Sequence, residues 1–141
     1  MKQPFESDRI GPLAARVYRV KTEDGVEIAV TRLGSGSGSG SGRDSGRDSG
    51  SGGDSGSGSG GDSGFGTAGA VVLVHGTFCQ RSFWVSDKGL GLGPYLLERG
   101  YDVWIPEARG HGRSPRDERF RSWSAEDQMQ FDLPAVQRLV A

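Results

Sequence analysis

The sequence is poor in cysteine: Cys79 is the only one in 141 residues. A single thiol excludes an intramolecular disulfide and a cysteine-rich zinc site. Apolar residues are scarce as well, at 33%, and no stretch approaches the roughly 18 consecutive apolar residues of a membrane-spanning helix. Residues 1–16, charged and broken by Pro4, Gly11 and Pro12, lack the apolar run of a secretory signal. On this reading the default compartment is the cytoplasm. The chain also lacks a dominant charge, since 17 basic and 18 acidic residues leave a net charge of −1. That balance supplies no field for a nucleic acid or an anionic membrane surface. Arg113, Arg116, Arg119 and Arg121 do cluster, but Asp117 and Glu118 interleave them, and the stretch reads as a solvated loop. Neither a metal nor a cofactor is expected.

Glycine, by contrast, is abundant, and 16 of the 25 glycines fall in residues 34–69 together with 11 serines. This Ser-Gly segment, punctuated by Arg-Asp-Ser-Gly and Gly-Asp-Ser-Gly, cannot bury enough apolar surface to offset its chain entropy, and a flexible, disordered coil is expected. Gly53-Asp54-Ser55-Gly56 and Gly61-Asp62-Ser63-Gly64 mimic the nucleophile tetrapeptide of chymotrypsin-like proteases. They recur inside a repeat with no catalytic histidine to serve them, and they read as coincidence. Loop-closure cost rises slowly with length, so a fold can carry such an insertion. Only 105 residues remain to build a core.

Those residues divide into 1–33 and 70–141. After an irregular lead-in over 1–15, residues 16–21 have strand propensity, Thr22-Glu23-Asp24-Gly25 supplies a turn, and 26–32 alternate apolar with polar. An antiparallel β-hairpin at a sheet edge is expected. Ala70-Val71-Val72-Leu73-Val74, closed by Gly69 and Gly76, is apolar without alternation. That is the pattern of a strand buried on both faces of a parallel sheet. Residues 77–89 read as a loop, 89–100 as a short helix stopped by Gly100, and 101–106 as the next strand, ended by Pro106. Strand, helix and strand make a parallel β-α-β unit. A loop over 107–123 precedes two helix starts, one at Ser124 and one with Asp132 as N-cap before Pro134.

Two of these stretches carry a resemblance. Val72-Leu73-Val74-His75-Gly76-Thr77-Phe78, and then Arg109-Gly110-His111-Gly112-Arg113-Ser114-Pro115 after a strand, resemble the amino-terminal half of an α/β-hydrolase, nearest the lipase and esterase branch. The resemblance implies a partial α/β-hydrolase fold over 70–141, with the hairpin of 1–33 opening the same domain and 34–69 as a linker. It further implies that Thr77, or Phe78 in its place, lends a backbone N–H to an oxyanion hole. His75, Gly76, Arg109, Gly110, His111 and Gly112 would shape the site around it, with an ester or lipid as substrate in full-length relatives.

Ester hydrolysis on this fold also needs a serine on a Gly-x-Ser-x-Gly turn, with an acid and a histidine base after it. No serine here has glycine two places before and two after. Gly112-Arg113-Ser114-Pro115-Arg116 fails at its last position. The expectation is therefore an inactive amino-terminal fragment, truncated before its nucleophile, which a complementing carboxy-terminal polypeptide could complete as a split hydrolase. The alternative is a non-catalytic interaction chain that pairs through an exposed sheet edge. His75 reads as structural, bonding its ring to nearby backbone. Cys79 has no identifiable base. Phe83, Trp84, Trp104 and Trp123 are candidates for an acyl pocket, though core packing is the commoner use of such residues.

Overall fold

The computed structural model describes residues 3–36 and 64–141. Five strands form one sheet: β1 (Phe5–Ile10), β2 (Leu13–Lys21), β3 (Glu27–Gly34), β4 (Ala70–Val72) and β5 (Asp102–Glu107), in the order β1-β2-β3-β5-β4. All neighbours run antiparallel except β4 and β5, which are parallel, with Val71 opposite Val103. The connection between those two carries helix α1 (Leu92–Glu98), so the expected β-α-β unit is present. After β5 the chain forms a loop and then one continuous helical stretch: α2 (Ala125–Asp127), a π-turn (Gln128–Asp132) and α3 (Leu133–Val140). Low-complexity residues 37–63, including the two protease-like tetrapeptides up to Ser63, lie outside the described residues.

The sheet is covered on two sides, and the period-two alternation of β5 shows how. Val103 and Ile105 pack with Leu33, Leu73 and Leu97 beneath α1. Trp104, between them, turns to the opposite face and packs with Tyr18, Val30 and Val136 beneath α3. A mixed sheet with helices on both faces is the layered arrangement of an α/β protein.

Four local expectations are corrected. The lead-in is not irregular throughout, because residues 5–10 form β1 and pair with β2 from Phe5 opposite Tyr18 to Ile10 opposite Leu13. This strand is short of apolar residues since both its faces are largely exposed. Its anchor is aromatic, with Phe5 5.7 Å from Tyr18, and Tyr18 5.4 Å from Trp104. The β2-β3 hairpin is therefore internal to the sheet. Pro106 does not end β5, which runs on to Glu107. The Leu73 N–H donates to the Trp104 carbonyl, so residues 104 and 106 face β4, and β4 has already ended where the proline would owe a donor.

The third correction concerns β4. Among the described residues it pairs on one side only, and Val72 and Val74 are 38% and 49% exposed, so the run is not buried on both faces. Val71 and Leu73 pack toward α1, while Ala70, Val72 and Val74 line an open apolar groove of about 480 Å³ against α3. The fourth is Asp132, which caps no helix. The Leu133 N–H bonds to the Gln128 carbonyl in the wider π pattern, so the helix passes through Pro134 uninterrupted, and the Asp132 carboxylate is free for a different use. At Ser124 the expected start is present as a reciprocal capping box with Asp127.

Candidate functional site

The site lies beyond the carboxyl ends of β4 and β5, where two loops meet. The first, residues 75–81, leaves β4 through His75-Gly76. The second, residues 108–114, leaves β5 through Ala108-Arg109-Gly110-His111. Two buried charged residues, Glu107 and Arg109, hold them.

Glu107 is 2% exposed at the end of β5. One carboxylate oxygen accepts the Arg81 N–H at 3.0 Å, and the other accepts the Arg113 N–H. A single side chain thus staples the first loop to the second. Gly112, at φ +51°, folds directly over this carboxylate, and a β-carbon there would strike it. The loop needs glycine at 112 for both its backbone angle and its close approach. Ser114 closes the turn, donating to the Glu107 carbonyl and accepting the Ala29 N–H at 2.8 Å. From the other side, Asp8 of β1 meets the guanidinium groups of Arg81 and Arg113, each at 2.9 Å. Burial pushes the Asp8 carboxyl up, but the Arg9 N–H and the two guanidiniums outweigh it and hold it below its usual value.

Arg109 is 1% exposed. Its Nε and one terminal nitrogen bond to Asp132 at 3.0 and 2.7 Å, and both terminal nitrogens bond to Asp24 at 2.7 and 3.1 Å. The Arg109 N–H adds a bond to Asp132 at 3.1 Å. The β2-β3 turn, the second loop and the π-turn therefore meet on one guanidinium. Burial would lower the Arg109 pKa, but the hydrogen bonds it donates to the Asp24 and Asp132 carboxylates outweigh that and raise it. The Asp24 carboxyl is held low, chiefly by its hydrogen bond from Arg109. Such a triad is stabilising only while complete, because a buried charge without its partner costs several kcal/mol.

The two histidines stand 5.6 Å apart, ring centre to ring centre. His75 is 8% exposed. Its Nε2 accepts the Ala108 N–H at 3.1 Å, and its Nδ1 lies 2.7 Å from the Gly76 carbonyl. His111 repeats the pattern, with Nε2 accepting the Phe78 N–H at 3.4 Å and Nδ1 3.0 Å from the Arg109 carbonyl. Both are met by the tautomer protonated at Nδ1. Phe78 sits at φ +63° with its ring 93% exposed, a backbone angle that costs a non-glycine residue roughly 1 kcal/mol or more. Its amide is engaged. The adjacent Thr77 N–H is not: among the described residues no hydrogen bond uses it, and Thr77 is exposed.

Of the aromatic candidates, Trp104 is core and Trp84 packs against the α1-side cluster. Phe83 is 63% exposed. Trp123 alone reaches the site, lining a pocket of about 240 Å³ with Thr77, His111 and Phe120. Among the described residues, no group of three or more His, Cys, Asp or Glu could hold a metal ion, and no helix is long and apolar enough to cross a membrane.

Comparison with known proteins agrees with this architecture. Residues 69–139, which hold both loops, match the family model described as alpha/beta hydrolase fold. The chain belongs to the α/β-hydrolase fold family. Within it, this α/β-hydrolase chain is lipase-like. It is 29% identical to human Lipase member N over 127 residues, which is 84% of this chain and 26% of that protein. It is 27% identical to Lipase lipl-1 of Caenorhabditis elegans over 130 residues, 86% of this chain and 27% of the relative. Human gastric triacylglycerol lipase is 28% identical over 127 residues, again 84% of this chain and 26% of the relative. The chain thus spans about a quarter of the length of the curated relatives it matches.

Three residues that build the site were not anticipated from sequence as such. Asp24 reads as a turn residue and Asp132 as a helix cap, both ordinary uses of aspartate. Glu107 did carry a signal, being a carboxylate placed where an apolar strand enters a glycine-rich loop.

Proposed function

We propose that this chain is the oxyanion-binding portion of a lipase-like carboxylic-ester hydrolase, with the nucleophile, acid and base supplied by residues beyond these 141. The observation that carries the reading is the Thr77 amide. It stands in the loop after β4, exposed and without a hydrogen-bond partner among the described residues, beside a pocket that Phe120 and Trp123 share with Arg109, His111 and Gln128. An unpartnered N–H in that position can meet the negative oxygen of a tetrahedral intermediate without reorganising anything first. Phe78, the other candidate, has its amide occupied by His111 Nε2, and Thr77 is therefore the donor assigned. Glu107, Arg109, Gly110, His111 and Gly112 hold the loop in place and take no direct part in the chemistry. The substrate class follows from the relatives' names, which include a triacylglycerol lipase.

The reading predicts that the chain alone does not turn over p-nitrophenyl butyrate. Mixed with a polypeptide carrying the remaining strands, a Gly-x-Ser-x-Gly turn, an acid and a histidine, it gains esterase activity that a serine-directed phosphonate abolishes. One missing oxyanion donor costs about 10²–10³ in rate, so Thr77→Pro, which removes the N–H, lowers the reconstituted kcat by that factor. Turnover by the isolated chain that the phosphonate stops, or full activity of Thr77→Pro, overturns the reading.

A second reading, a non-catalytic chain that pairs through its sheet edge, is favoured by one observation. The β4 edge and α3 leave an apolar groove of about 480 Å³ lined by Val72, Val74, Leu133 and Val140. Light scattering separates the two, because a monomer over the micromolar range argues against the second.

A further inference from the structure

We propose that Arg16 and Arg32 form an internal docking slot for one aromatic side chain, which Phe65 fills, and that the docked ring fastens a neck between Ser35 and Gly64. The slot follows from strand register. Arg16 of β2 and Arg32 of β3 stand directly opposite each other, and like charges in that position repel. Their guanidinium carbons lie 4.3 and 4.4 Å from the centre of the Phe65 ring. A ring face attracts a cation, so one ring answers both arginines. The stack continues outward, with Phe5 4.5 Å from Arg16 and Trp104 4.8 Å from Arg32. Asp102 holds the Arg32 fork at 2.8 and 3.0 Å. Gly34 is the floor, since a β-carbon there would stand 3.0 Å from the Phe65 ring.

The docked ring fixes the backbone beside it. Ser35, next after the floor, donates its N–H to the Gly64 carbonyl at 2.6 Å and its hydroxyl to the same oxygen at 3.1 Å. Beyond Phe65, the Thr67 and Ala68 N–H groups both donate to the Gly100 carbonyl at 2.8 Å. The chain therefore leaves the sheet at Ser35 and returns at Gly64, one hydrogen bond away. A bond from the N–H of one residue to the carbonyl three places on is one of the pair that closes a two-residue hairpin loop. The ends are thus spaced for Gly36 to be joined directly to Ser63, and glycine at the first central position suits a type II′ turn. The neck also lies far from the candidate site along the strands. Ala29 is opposite Glu107 and Arg32 opposite Trp104, so β3 runs away from the loops at 75–81 and 108–114 and ends beside the amino ends of β4 and β5.

Two experiments test the slot and the neck. In the full chain, Phe65→Leu keeps an apolar side chain but no ring face. Protons above a ring face are shielded, so the Arg16 and Arg32 Nε–H resonances are expected to move downfield in this variant, which loss of burial alone would not cause. Hydrogen exchange at the Ser35 amide is expected to quicken about tenfold as the neck loosens. Phe65→Tyr keeps the ring face and is expected to retain both the arginine resonances and the slow exchange. Removing residues 37–62, so that Gly36 is joined to Ser63, is expected not to lower the thermal midpoint, since a shorter loop costs less entropy to close. The amide shifts of Thr77, Phe78, Arg109 and His111 are expected to stay where they are. The proposal is overturned if the shortened chain fails to fold or its site amides move. It is also overturned if Phe65→Leu leaves the arginine resonances and the Ser35 exchange unchanged, or if Phe65→Tyr behaves as Phe65→Leu does. None of these readouts depends on hydrolase activity.

Discussion

The two ends of the β4-α3 side of this molecule are built on opposite principles. At the loop end, buried charges are matched atom for atom: Glu107 holds two backbone N–H groups, and Arg109 holds two carboxylates. At the lateral edge, Val72, Val74 and Leu133 face a groove with no partner for the strand among the described residues. The loop end is specified by geometry, because a hydrogen bond or ion pair is satisfied by one arrangement and not by its neighbours. The edge is specified only by apolar character, which any apolar surface can match. The difference shows that the conformation of the two loops is set by contacts among the described residues, whereas β4 has a strand neighbour among them on one side only.

The comparison breaks most sharply at Arg109. Arg109→Met leaves Asp132, 4% exposed, as a buried carboxylate without a counter-charge. A loss of about 3–5 kcal/mol is expected, read as a fall in urea midpoint or failure to fold. Arg109→Lys keeps the charge but not the fork, and should recover only part of it. Next comes Gly112→Ala, which sets a methyl against the Glu107 carboxylate in a left-handed backbone. About 2 kcal/mol is expected, with faster hydrogen exchange at the Arg113 amide as the staple loosens.

Acid should act on the loop end alone. The Asp24 carboxyl is depressed in the folded chain, so its contribution is fully present above its unfolded value of about 3.9 and is lost as pH falls through the lower folded value. Urea midpoints are therefore expected to fall below about pH 4, and Asp24→Asn should flatten that part of the slope while lowering stability at neutral pH. The smallest effect is expected at the edge. Val74→Lys, at a position 49% exposed, should change stability by less than about 0.5 kcal/mol, yet reduce self-association in light scattering, since charge on an open strand edge opposes pairing. A large stability loss there would erase the distinction between the two regions.

Much of the frame is legible in residue order. The β2-β3 hairpin, the β-α-β unit and the Ser124 capping box follow from alternation, glycine stops and a serine three places before an acid. Strand β1 is not legible, because an exposed strand has no apolar alternation to display. The single helical stretch after Ser124 is not legible either, since Asp132 and Pro134 are ordinary helix-start signals and a π-turn has no local signature. The site divides in the same way. Thr77, His75 and the Arg109–Gly112 loop stand out through the resemblance of their short motifs to the α/β-hydrolase family, while the partners that fix them do not.

What the amino acids determine alone is therefore where strands turn into loops, where only glycine can stand, and that the stretch 70–74 is apolar. Tertiary structure decides which face of that stretch stays open, which carboxylates Arg109 meets, and which of two adjacent amides remains unengaged. The reason is range. Backbone preference acts over a few residues, but Arg109 and Asp24 are 85 positions apart, and Phe78 and His111 are 33. Only the packed sheet brings such groups within hydrogen-bonding distance.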